Sequence, residues 1–272
     1  MRQTSDVLDY QLIGDDLQAV IVTLDPGETV IAEAGAMMFM EDGIEMNTTL
    51  DPNKQGGGML GKLFSGARRV LSGDTFFITT FANGATTRRS VAFSSHFPGK
   101  IKPVDLREWG GTIIAQKDAF LCAPRGTTVD IAFTRRIGAG FFGGEGFILQ
   151  RITGDGVAVL HASGALWEKT LAAGEVLRVD TGCIVAMEQR VGYDIQLVPG
   201  IKTALFGGEG LFFATLTGPG RIMLQTMPFS RLADRIIAAS PRAGGRQMQE
   251  GGMLGGVVLG SVLGGVLGDR DG

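Results

Sequence analysis

The residues of this chain best placed to do chemistry are three carboxylates set among glycines. They are Glu145 in Phe142-Gly143-Gly144-Glu145-Gly146, Glu209 in Phe206-Gly207-Gly208-Glu209-Gly210, and Asp74 in Gly73-Asp74-Thr75-Phe76-Phe77. A carboxylate on flexible backbone can serve as a general acid or base, but it needs a reacting group within hydrogen-bond reach. The same acidic centre recurs, and one reaction has little use for three equivalent carboxylates. The preferred reading is therefore structural: each carboxylate accepts backbone N–H bonds at a turn, while the glycines let two chain segments pass closely.

The other candidates give way to similar arguments. Gly138-Ala139-Gly140-Phe141-Phe142-Gly143 fits the pattern of a dinucleotide loop, yet that loop must lead from a strand into a helix, and here it leads towards another strand. His96 and His161 are the only histidines. With no cysteine or histidine cluster around them they cannot complete a zinc site, which takes three or four ligands. No Gly-x-Ser-x-Gly nucleophile elbow occurs. The arginine pairs Arg68-Arg69, Arg88-Arg89 and Arg135-Arg136 are dispersed in a chain of net charge −3, which reads as solvated faces rather than a nucleic-acid footprint. Trp109 and Trp167 lack the basic and aromatic strand pattern of a base-stacking platform and read as packing or interface residues. Cys122 and Cys183 have no CxxC spacing and read as reduced, buried thiols. No catalytic, cofactor-binding or metal-ligating residue is assigned, and the expectation is a protein that is not an enzyme.

The elements that position these motifs repeat. The Phe-Gly-Gly-Glu-Gly stretch returns 64 residues later, and Leu24-x-x-Gly27-Glu28 returns as Leu171-x-x-Gly174-Glu175, with a degraded middle copy at Gly110. The turns Asn83-Gly84, Gly154-Asp155-Gly156 and Gly218-Pro219-Gly220 each lie nine residues after the acidic centre, which is the signature of one hairpin used again. Strands are expected over Leu17 to Leu24, Val30 to Met40, Ile44 to Met46, Thr75 to Phe81, Ser90 to Phe93, Gly111 to Gln116, Phe120 to Ala123 and Thr128 to Phe133. The expected fold is all-β: three tandem β-sandwich or double-stranded-β-helix-like modules over 1–95, 96–163 and 164–228, the first carrying an insertion near 47–58. A helix is expected over 229–241, best from Ser230 to Ser240, with Ser230 as N-cap and Pro241 as the stop.

Residues 242–272 form a glycine-rich apolar tail. Gly252, Gly256, Gly260, Gly264 and Gly268 recur at every fourth position, a ladder that suits close helix contact. Each glycine costs about 1 kcal/mol relative to alanine in a water-exposed helix. The uncharged stretch is at the short edge of what crosses a hydrocarbon core of roughly 30 Å. Two readings stay open for the tail: an oligomerising or membrane-inserting segment, or a flexible apolar tail against the body. The N-terminus shows no basic flank followed by an apolar run, so a cytoplasmic chain is expected, with the tail reaching the inner face of a membrane.

These motifs carry a resemblance. Gly56-Gly57-Gly58-Met59-Leu60-Gly61, Gly73-Asp74-Thr75-Phe76-Phe77, Gln116-Lys117-Asp118-Ala119-Phe120-Leu121 and the two Phe-Gly-Gly-Glu-Gly stretches, through Leu216-Thr217-Gly218-Pro219-Gly220 to Leu224-Gln225, resemble the altered-inheritance-of-mitochondria (mitochondrial biogenesis) family of bacterial and mitochondrial β-proteins. The likeness runs from about Val20 to Pro228. It departs at Asp74, where glutamate is expected, and leaves the tail outside. It implies modules similar to the tryptophan RNA-binding attenuation protein, assembly into a ring of chains with a trimer as the expected number, and a scaffold role. It transfers no catalytic residue, and fold alone does not transfer RNA binding. The expected function is a homo-oligomeric scaffold whose partners are itself and a membrane surface or membrane protein; the alternative is a small-molecule module holding its ligand between β-modules or subunits.

Overall fold

The computed structural model describes residues 5–49, 78–135, 147–197 and 212–239. Nearly all regular structure in them is strand, so the all-β expectation holds. After β1 (Asp9–Ile13) come three runs of six strands. The first is β2 (Ala19–Leu24), β3 (Thr29–Glu33), β4 (Met37–Met40), β5 (Ile44–Thr49), β6 (Ile78–Asn83) and β7 (Arg89–Ser94). The second is β8 (Gly99–Asp105), β9 (Thr112–Gln116), β10 (Phe120–Pro124), β11 (Thr128–Arg135), β12 (Phe147–Thr153) and β13 (Val157–Ser163). The third is β14 (Leu166–Leu171), β15 (Val176–Asp180), β16 (Ile184–Glu188), β17 (Gly192–Leu197), β18 (Phe212–Thr217) and β19 (Gly220–Gln225). A helix, α1 (Phe229–Ala239), follows.

Within each run the first and third strands pair with the sixth, and the second and fourth pair with the fifth, always antiparallel. Two further pairings, β3 with β10 and β9 with β16, stitch successive runs together. The result is four sheets, ordered β1-β2-β7-β4, β5-β6-β3-β10-β13-β8, β11-β12-β9-β16-β19-β14 and β15-β18-β17. Three apolar clusters fill the gaps between successive sheets. Val22, Phe93 and Val159 lie in the first, Ile31, Phe120, Ile152 and Val185 in the second, and Leu149, Ile184, Leu216 and Ile222 in the third. Strands buried on both faces read as continuous apolar runs rather than alternations, which explains Thr-Ile-Ile-Ala-Gln in β9 and Phe-Leu-Cys-Ala-Pro in β10.

The glycine motif at the hairpin corners has a local cause. In Asp25-Pro26-Gly27-Glu28, Gly27 has φ +83° and the Glu28 carboxylate accepts the Asp25 N–H at 2.8 Å. In Ala172-Ala173-Gly174-Glu175, Gly174 has φ +75° and the Glu175 carboxylate accepts the Ala172 N–H at 2.8 Å. The left-handed residue favours glycine, and the glutamate closes the turn. At the corresponding point of the second run the chain instead makes a 3-10 turn over Leu106–Trp109, capped by Asp105 and ended by Gly110 at φ +74°.

Three local expectations need correction. The apolar stretch from Leu17 enters its strand only at Ala19, after the turn at Gly14. Val30 to Met40 is not continuous, because the Ala36 N–H bonds the Glu33 carbonyl around Gly35 at φ +87°. The helix begins at Phe229, because the Pro228 carbonyl accepts the Arg231 and Leu232 N–H groups, so Ser230 lies inside it rather than at its cap.

Candidate functional site

Two places stand out, a strand edge and a cleft. The edge is β4. It lies at the end of its sheet and, among the described residues, pairs only with β7. Its four side chains are all apolar and all exposed: Met37 37%, Met38 48%, Phe39 39% and Met40 40%. Its counterparts in the later runs have the opposite character. Phe120, Leu121, Cys122 and Ala123 of β10 are exposed by 1% or less, as are Ile184, Val185, Ala186 and Met187 of β16. Full burial of one such large apolar side chain is worth about 1.5–3 kcal/mol, so this bare edge is a surface that calls for a cover. At the other end of the chain β15 is also a sheet edge, with Val176 and Arg178 exposed where Thr112 and Ile114 of β9 are buried.

The cleft, about 600 Å³, lies between the second and third runs and is lined by Glu108, Trp109, Thr112, Glu188 and Arg190 among others. Arg221 lies 4.2 Å from the Trp109 ring centre, in cation–π geometry. Its Nε donates to Glu188 Oε1 at 2.7 Å, and its guanidinium also bonds the Glu108 carbonyl. Arg190 Nε donates to the other Glu188 oxygen at 2.6 Å. Burial pushes the Glu188 carboxyl up, but hydrogen bonds and charge from Arg221 and Arg190 outweigh it and hold Glu188 below its ordinary range. The group can orient a polar ligand over an aromatic floor.

Two shifted titratable groups lie elsewhere, one half-buried and one buried. Glu33, at the end of β3, is pushed up to about 8, first by burial and then by the Asp118 charge, with Lys117 opposing. His161 on β13 is pushed down to about 4, first by burial and then by His96. The edge of the His161 ring meets Phe97, 4.8 Å between centres, and its Nδ1 has no partner among the described residues. Both histidines thus occupy packed or surface positions, and no group of three potential metal ligands occurs among the described residues. Cys122 is buried and Cys183 half-buried, each with its thiol pushed up by desolvation first, and neither forms a disulfide. Trp109 is buried in the cleft, while Trp167 is exposed.

The motif residues singled out from the sequence, Asp74, Gly143, Gly144, Glu145, Gly146, Gly207, Gly208, Glu209 and Gly210, lie outside the described residues, as does the tail with Gly252, Gly256, Gly260, Gly264 and Gly268. No helix among the described residues is long and apolar enough to cross a membrane. The sequence reading missed the cleft and the edge. The edge had a readable signal in Met-Met-Phe-Met, four apolar residues with no polar alternation.

Four sheets enclosing three cores, with open edges at both ends, define an all-β protein whose strands run from one sheet into the next. The chain belongs to the AIM24 mitochondrial biogenesis family, whose profile it matches over residues 10–227. It is 28% identical over 216 residues to an uncharacterised protein of Streptococcus pyogenes serotype M6, covering 79% of this chain and 83% of that one. Its fold is similar to the crystal structure of another Streptococcus pyogenes protein, with a TM-score of 0.66 at 22% identity, covering 85% of this chain and 99% of that one.

Proposed function

We propose that this protein is a non-enzymatic, homo-oligomeric β-scaffold built from one six-stranded unit used three times. The observation that carries the reading is β4, an edge strand of four exposed apolar side chains at a position that is buried wherever the chain itself supplies a neighbour. Monomeric proteins blunt such edges with charge, proline or a bulge that twists them away; the residues of β4 supply neither charge nor proline, and its slip between Met37 and Phe39 recurs in β10 and β16, which pair on both sides all the same. The repeated strand pairing, and the Glu28 and Glu175 turns with their shared hydrogen bond, support the three-unit reading. Native mass spectrometry of the intact chain tests it: a defined multimer, the trimer among the expected numbers, supports a scaffold, and a monomer at micromolar concentration removes it.

The glycine ladder from Gly252 to Gly268 supports a further role for the tail in seating that assembly on a membrane surface. Flotation with liposomes, comparing the full chain with one ending at Ser240, reads this directly; equal flotation of the two ends the membrane part of the proposal.

The cleft supports a second reading, a small-molecule module with its ligand held between units. Trp109 forms the floor, and the Arg221, Arg190 and Glu188 cluster supplies polar contacts at one side. In a Trp167→Phe background, aromatic carboxylic acids that enter the cleft quench Trp109 fluorescence; an unquenched Trp109 across that class counts against this reading.

A further inference from the structure

The two outer sheets are halves of a sheet that the chain completes twice by itself. The second sheet joins β5-β6-β3 of the first run to β10-β13-β8 of the second, and the third joins β11-β12-β9 to β16-β19-β14. In both, the junction pairs the second strand of one run with the third strand of the next. By the same rule β15, the second strand of the last run, lacks a following third strand, and β4, the third strand of the first run, lacks a preceding second one. Neither finds the other within the chain: β15 pairs with β18 and β4 with β7.

We propose that β4 of one copy pairs antiparallel with β15 of a second copy, joining the half-sheets β17-β18-β15 and β4-β7-β2-β1 into one; this rests on the homo-oligomer reading above and names its interface. The register follows from the internal junctions. The ladders of β4, β10 and β16 all slip at one place, between Met37 and Phe39, Phe120 and Cys122, and Ile184 and Ala186. That slip sets Phe39 level with Cys122 and Ala186. On the other side, the ladders opening with Thr29, Thr112 and Val176 set Val179 level with Ala32 and Ala115. Internally, Cys122 faces Ala32 and Ala186 faces Ala115. Phe39 therefore faces Val179 of the next copy, and Met40 faces Arg178.

The contact is between two different patches, so it repeats from copy to copy. It closes into a ring if the rotation per chain divides a full turn, and grows as a filament if it does not. It also covers β4, whose four apolar side chains are all exposed, and places Leu177 against a neighbouring strand as Ile113 and Val30 already are.

Directly opposed residues on antiparallel strands have Cα atoms about 4.5–5.5 Å apart, within the span of a disulfide. The full chain carrying Met40→Cys and Arg178→Cys, both exposed positions, is oxidised and run without reductant beside the wild type and a Met46→Cys, Arg178→Cys control. Circular dichroism first verifies that each variant keeps its strand content. The expected result is a ladder of covalent multimers holding most of the Met40→Cys, Arg178→Cys chain and absent from both controls. A cross-link confined within single chains, or no ladder above the controls, overturns the proposal. Light scattering on the reduced samples separates the two levels: multimers without cross-links leave the oligomer reading standing and place its interface elsewhere, whereas monomers remove both.

Discussion

β4 and β16 hold the same place in their runs and share the same slip in their ladders, yet one is bare and the other is sealed. Composition does not explain this, since Met-Met-Phe-Met and Ile-Val-Ala-Met are both wholly apolar. The difference is the neighbour: β16 has β9 on its open side, and β4 has no second strand there among the described residues. Burial of the third strand in this fold is conferred by the preceding run. The glutamates that follow show the same contrast. Glu188 is buried between Arg221 and Arg190, while Glu41, level with it one residue after β4, is exposed and accepts the Ser90 N–H at 2.8 Å.

The contrast can be broken most forcefully at the aromatic positions. Phe120→Ala, inside a sealed junction strand, is expected to cost about 3–5 kcal/mol of folding stability. Phe39→Ala on the bare strand should cost less than about 0.5 kcal/mol, measured by urea unfolding at a dilution where the midpoint no longer depends on concentration. A comparable loss at both sites would mean that β4 is already covered within its own chain.

A smaller effect is expected at the glutamates. Glu188→Ala leaves two arginines at the cleft without their carboxylate and should cost about 1–3 kcal/mol, whereas Glu41→Ala should fall within about 0.5 kcal/mol. Because Glu188 is held below the range of an unfolded glutamate, its contribution is present above about pH 4.3 and is lost as pH falls through the folded value. Acid unfolding curves of the Glu188→Ala protein should therefore be flatter below that pH than those of the wild type.

A pH-dependent effect sharpens the comparison at the strand ends. Glu33, Gln116 and Asp180 close the second strand of the three runs. Asp180 has Arg231 at 2.6 Å, whereas Glu33 is half-buried near Asp118 and is pushed up to about 8. Folded Glu33 keeps a proton that the unfolded chain releases above about pH 4.3. Its contribution is therefore fully present below that pH and drains away as pH rises through 8. Glu33→Gln should flatten the decline in melting temperature between about pH 5 and pH 8, and an unchanged slope would assign the decline to another group.

What the sequence made legible was local. The Gly27-Glu28 and Gly174-Glu175 corners could be read because the glycine conformation and the glutamate hydrogen bond both close within four residues. The junction strands β9 and β10 could be read from their apolar runs, whereas β16 was not among the expected strands although it carries a similar run. Strands such as β14, with Glu168 and Lys169 inside it, and β15, with Arg178, gave no such signal because they lie at sheet edges and carry charge. The cleft was out of reach for another reason: Trp109, Glu188 and Arg221 come from three separate stretches and meet only through the pairing of β9 with β16 and β16 with β19. The upward push on the Glu33 carboxyl, first from burial and then from Asp118, depends in the same way on the pairing of β3 with β10.

The central claim is that a second copy covers β4. Native mass spectrometry of the intact chain beside Phe39→Lys, which puts a charge on the bare strand, tests it most directly. The account predicts a defined multimer for the wild type and a shift to monomer for Phe39→Lys with unchanged circular dichroism. A wild-type monomer, or a multimer indifferent to the lysine, would contradict it.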